Sequence, residues 1–208
     1  MPLPVSGQVG EQQLGVGVTT QPLRQGRLGD VIVSELMGRY YEISRSGRLF
    51  LAQAIVTAPV VYTVAASTGG PLLWNGTSTV NAVILAVGFG HTVTATVAAT
   101  LGLTGNTGQV SAPTTTTAID GSGSLFLGQA GPACSVFRVG TVVNAGKYLM
   151  PFADIELGAQ TVETSAVKWI DIGGAFIIPP GAWGSVAASA TATTAVLTIG
   201  LIWAEVPV

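Results

Sequence analysis

VNAVILAVGF, residues 80–89, is apolar at nearly every position. Such a run fits a strand with both faces covered. The close of the chain gives the complementary signal. In residues 194–204, Ala195, Leu197, Ile199 and Leu201 share one parity, and Thr194, Val196, Thr198 and Gly200 share the other. A period of two marks a strand with one buried face. The uncharged run 186–203 is long enough to raise a membrane helix, but its alternation and its Ser, Thr and Gly residues speak for strands instead.

Working outward, strands are expected over 39–43, 49–56, 60–65, 92–101, 125–127, 135–143, 166–172, 175–178 and 183–188. The segments around 68–79 and 102–124 read as turns and an exposed loop, because they are dense in Gly, Ser, Thr, Asn and Pro. Pro179-Pro180-Gly181 is a turn, and strands 183–188 and 195–204 are read as an antiparallel pair. No segment carries a helical apolar face over three turns. Many short strands with turn signals between them predict an all-β fold, a single jelly-roll-like antiparallel β-sandwich over 31–208. Residues 1–30, rich in Gly, Gln and Pro without a period, predict an extended N-terminal arm.

Composition restricts the function classes. Hydrophobic residues are 48% and charged residues 9%, against a usual charged share of about 25%. No Asp, Glu, Lys or Arg lies between Arg48 and Asp120, or between Asp171 and Glu205. A solitary soluble domain normally spreads both signs of charge over its surface. A neutral body is therefore expected to be covered by other subunits. The net charge of -2 gives no global attraction to nucleic acid or anionic lipid, and neither is expected as a partner. The basic residues gather early, at Arg24, Arg27, Arg39, Arg45 and Arg48. They either pair with Asp30, Glu35 and Glu42 or form the element that docks on a partner.

The inventory for chemistry is thin. His91 is the only histidine and Cys134 the only cysteine. No Gly-x-Ser-x-Gly elbow, phosphate loop or zinc-ligand spacing occurs. Asp154 and Glu156 are a closely spaced acidic pair, read as a solvated edge. No enzymatic activity, cofactor or metal is expected. Asn75-Gly76-Thr77 matches a glycosylation sequon and is read as a turn. Of the four tryptophans, Trp169 and Trp203 lie in alternating strands and are expected in the core. Trp74, in PLLWNG, is the candidate exposed aromatic.

Three pieces carry a resemblance: the opening MPLPVSGQVGEQ, the segment GRYYEISRSGRLFLAQAIV at 38–56, and the close IWAEVPV at 202–208. Together they resemble virion structural proteins of tailed bacteriophages. The resemblance implies a capsid decoration (cement) protein, made in the host cytoplasm and placed on the capsid surface. There it would form a homo-oligomer, with a homotrimer expected, and brace the major capsid protein lattice. A head fibre, collar or tail component, or a carbohydrate-binding attachment module, are the alternatives.

Overall fold

The computed structural model describes residues 39–57, 60–64, 68–93, 99–119, 121–155, 168–190 and 196–208. The chain divides into two compact units, Met1–Tyr41 and Glu42–Val208. In the first, the Arg39 guanidinium carbon sits 5.4 Å from the centre of the Tyr40 ring. The expected arm 1–30, with Arg24 and Arg27, lies outside the described residues, as do Asp30, Glu35 and Glu156.

The second unit is nearly all β. A short helix α1 (Tyr41–Arg45) precedes β1 (Leu49–Thr57), β2 (Thr68–Asn75), β3 (Val80–Val93), β4 (Ala99–Thr107), β5 (Thr114–Ala118) and β6 (Gly121–Ser124). Then come β7 (Ser135–Thr141), β8 (Met150–Ile155), β9 (Lys168–Ile178), β10 (Ala182–Ala188) and β11 (Val196–Pro207). They form two antiparallel sheets, ordered β6-β1-β11-β3-β9 and β5-β7-β2-β10-β4-β8.

The order has a simple logic. β1 pairs with β11, β2 with β10, β3 with β9 and β4 with β8, all antiparallel. The chain thus folds back on itself as one long hairpin, rolled so that successive pairs fall in alternate sheets. That is a jelly roll. β5, β6 and β7 form the tip of the hairpin and widen both sheets on the β1/β2 side.

The core lies between the sheets. Phe50, Ala52, Ala54 and Val56 point into it from β1, and Leu197, Ile199, Leu201 and Trp203 from β11. Slipping β11 by one residue would turn those four side chains outward, at about 2 kcal/mol each, so burial fixes the register. Phe176 of β9 crosses the core. Its ring lies 3.2 Å from where a Cβ on Gly105 would stand and 3.0 Å from one on Gly184. Gly105 and Gly184 are neighbours across β4 and β10, so together they form a socket for this ring.

Several elements differ from the sequence reading, each for a physical reason. Residues 39–43 do not form a strand. Tyr41–Arg45 is helical and ends where Gly47 (φ 71°) accepts the left-handed conformation. The N–H of Arg48 donates to the Ile43 carbonyl and that of Gly47 to the Ser44 carbonyl, a Schellman end. Residues 60–64 contribute only a bridge, Val61 to Ala188. The expected loop 102–124 contains most of β4 and all of β5 and β6, and the turn-rich stretch 68–79 contains β2. The glycines of β2 and β4 at positions 70, 102 and 105 mark close approaches of backbone rather than turns. A Cβ on Gly70 would run into the Val186 carbonyl oxygen. The two short strands expected at 166–172 and 175–178 are one, β9. Its continuity depends on a bulge at Gly173 (φ 62°) and Gly174 (φ 82°), with the Gly173 N–H held by Asp171 Oδ1 at 2.9 Å. β10 and β11 are not paired with each other, because they belong to opposite sheets.

Candidate functional site

The two outer faces of the sandwich are treated differently. On the second sheet, Trp183 and Leu72 point away from the main core yet are buried, packed with Val142, Trp74 and Phe137. Gln109 ties down the cover over this face. Its Oε1 accepts the Val143 N–H at 2.8 Å, its Nε2 donates to the Ser111 carbonyl at 2.8 Å, and its N–H donates to the Gly181 carbonyl at 2.9 Å. Trp74 belongs to the same arrangement. It is half-buried, and its indole N–H donates to the Gln109 carbonyl at 2.9 Å. Trp74 therefore serves to hold this cover in place.

The first sheet presents an open face. The parity that buries Phe50, Ala52 and Ala54 turns Leu51, Gln53 and Ile55 outward, the last 49% exposed. Register continues the row of Gln53 through Gly200 and Gly88 to Trp169. Trp169, expected in the core, is 51% exposed. Its indole lies along this row, with Cη2 2.9 Å from a Cβ position on Gly200 and Cδ2 2.9 Å from one on Gly88. Two cross-strand glycines thus let one large ring lie flat across β3 and β11. The face is neutral along β1, β11 and the facing part of β3, with Gln53, Thr57 and Thr198 among its apolar residues. On β9 its charge is Asp171, which shares the parity of Trp169, whereas Lys168, opposite the core-facing Phe89, belongs to the other side.

The remaining residues singled out by sequence are scattered. Arg45 and Arg48 are exposed on either side of the Gly47 turn, and Arg39 is exposed in the preceding unit. His91 is half-buried at the end of β3, its ring edge-on to Phe89 at 6.3 Å. Asp154 accepts a hydrogen bond from Thr100 Oγ1 at 3.0 Å. The sequon asparagine, Asn75, is fully buried. Its Nδ2 donates to the Val80 and Ile178 carbonyls at 2.8 and 3.0 Å, and its Oδ1 accepts from Thr77 Oγ1 at 2.7 Å. It is a brace between strands, closed to a glycosylating enzyme in the folded state. Among the described residues there is no group of three or more His, Cys, Asp or Glu able to hold a metal. No described helix is long and apolar enough to cross a membrane.

Sequence reading missed Glu205. This carboxylate is 6% exposed. Oε2 accepts the Ala133 N–H and Oε1 the Cys134 N–H, both at 2.9 Å, while the Trp203 indole N–H is a weaker donor at 3.5 Å. Cys134 is buried beside it. Burial, the charge of Glu205 and a hydrogen bond to that carboxylate all push the thiol far above its ordinary range. The arrangement anchors the loop before β7 to the last strand. It holds a thiol in its unreactive form.

No family model, curated protein or solved structure matches this chain.

Proposed function

We propose that this chain is a structural protein of a tailed-bacteriophage virion, a capsid decoration protein that packs against copies of itself and braces the major capsid lattice. The observation that carries the packing role is the open face of the first sheet, where Leu51 and Ile55 on the uncharged β1 and Trp169 on β9 reach solvent. Interface cores are depleted of charge and enriched in aromatic and aliphatic anchors, which is the composition of this face. The capsid setting is supported by the sequence resemblance, and a homotrimer is the unit that the resemblance implies. The segment bearing Arg24, Arg27, Arg39, Arg45 and Arg48 is its docking element on an acidic neighbour.

Quantitative mass spectrometry of purified particles tests the reading. A decoration protein is expected at a copy number comparable to that of the major capsid protein. A handful of copies would make it a collar, fibre or tail part instead. Deleting residues 1–30 is expected to weaken attachment to particles while leaving the thermal transition of the body in place. Undiminished attachment would remove the arm from the account.

A second reading, a carbohydrate-binding attachment module, is favoured by one feature. The Trp169 ring lies flat on Gly88 and Gly200 with a half-exposed face, as a stacking platform for a sugar requires. Under this reading Trp169→Ala abolishes glycan binding and Trp74→Ala does not. A glycan array without hits for the intact chain would dismiss it.

A further inference from the structure

β6 is four residues long, reads Gly-Ser-Gly-Ser, and forms an edge of the first sheet. It pairs with β1 through Phe50↔Ser124, Leu51↔Gly123, Ala52↔Ser122 and Gln53↔Gly121. No described strand pairs with its other side. Exposed edges are usually blunted by charge, proline or a bulge. Here no charged residue occurs from Gly121 to Phe137. The Leu125 N–H donates to the Leu49 carbonyl at 2.9 Å. Antiparallel alternation then directs the backbone groups of Gly123 and Gly121 toward β1 and those of Ser122 and Ser124 outward.

Side-chain parity supplies the second element. Gly121 and Gly123 lie on the outer face with Leu51 and Gln53, and a Cβ on either glycine would meet nothing within 4 Å. The result is an open, mainly apolar groove of about 240 Å³, with these glycines beside Leu51 and Gln53 and with Leu125 and Leu127 among its lining residues. Beside this hole stand the knobs. Leu125 is 39%, Phe126 43% and Leu127 90% exposed.

We infer that two copies of this chain meet at β6, edge to edge about a two-fold axis through Gly123. A two-fold contact requires one patch to supply both knob and hole, and this patch does. With Gly123 opposite its own counterpart, Ser122 of one copy faces Ser124 of the other. Their outward groups form about four backbone hydrogen bonds. The same register sets Leu125 over the partner's Gly121, where space is open. The neutral edge brings no like-charge repulsion. The inference deepens the self-association part of the proposed function and rests on it. It names one contact, through which oligomers of any order could be linked in pairs.

Cross-linking of the full chain tests it. Gly123→Cys places thiols next to each other across the axis, within reach of a disulfide. Cys134, 2% exposed, stays silent. Mild oxidation at micromolar concentration is expected to convert most of Gly123→Cys to a linked dimer on a non-reducing gel, and little of a Ser78→Cys control. In sedimentation, Leu127→Asp is expected to weaken association about tenfold or more. Ser122→Pro should do the same, since its outward N–H makes no bond to β1. An oligomer with unchanged mass in both variants, and no preferential linking at 123, would overturn the edge contact while leaving self-association intact. A wild-type chain that stays monomeric would overturn both.

Discussion

Gly105→Ala is expected to cost about 3 kcal/mol or more and to lower the melting temperature by roughly 6–12 °C. A Cβ at this position would stand 2.5 Å from the Trp183 carbonyl oxygen and 3.2 Å from Phe176 Cζ. The first neighbour is backbone of the adjacent strand and cannot rotate away. The second is a buried ring from the opposite sheet. Relief therefore requires β4 and β10 to part or the two sheets to separate, and either loosens the centre of the core. Gly131→Ala is the control. Nothing lies within 4 Å of its Cβ position, so a change within about 0.5 kcal/mol is expected. Thermal denaturation of both variants checks the difference. Equal melting temperatures would mean that the glycine of β4 is not a socket.

Glu205→Ala is expected to destabilise by about 3–5 kcal/mol. It strands the N–H groups of Ala133, part-buried, and of Cys134, buried, each of which loses a charge-assisted acceptor. Glu205→Gln keeps one carbonyl acceptor and should lose less. Denaturant titration measures both. Cys134 gives a companion readout with a definite sign in pH. In the unfolded chain the thiol ionises near its ordinary value of about 8.5. In the folded chain burial and Glu205 hold it protonated well beyond that. The folded state then binds more protons than the unfolded one above about pH 8.5, so stability falls as pH rises from there. The same geometry predicts that a thiol-specific reagent reacts with the native protein only at the rate of unfolding, and faster in Glu205→Ala.

The parts of the fold that were legible from the residues are those where burial and side-chain pattern coincide. The apolar run 80–89 became most of β3, alternating buried and half-buried up to position 85 rather than covered on both faces, and the alternation in 196–204 became the core-facing parity of β11. What misled was glycine. Residues 102–105 and 69–70 look like loop in sequence because glycine weakens an isolated strand. In the sandwich Gly70, Gly102 and Gly105 are places where a side chain or a carbonyl must come close, a relation that exists only between segments distant in sequence. The same holds for Trp169. Its alternating strand says that it faces one side or the other, but only the glycines opposite it in β3 and β11 show that it lies flat on the outer face. Glu205 was invisible for a related reason. Its partners are Ala133 and Cys134, some seventy positions away and engaged through backbone, so no pattern of side chains announces them. The groove beside β6 had the weakest signal, since Gly-Ser-Gly-Ser also describes an ordinary linker.

The central claim is that this neutral sandwich works by packing against its own copies. Sedimentation equilibrium of the full chain at micromolar concentration tests it most directly. The account predicts a species whose mass is a multiple of 21.0 kDa, reduced by Leu127→Asp. A single species of 21.0 kDa at every concentration would contradict it.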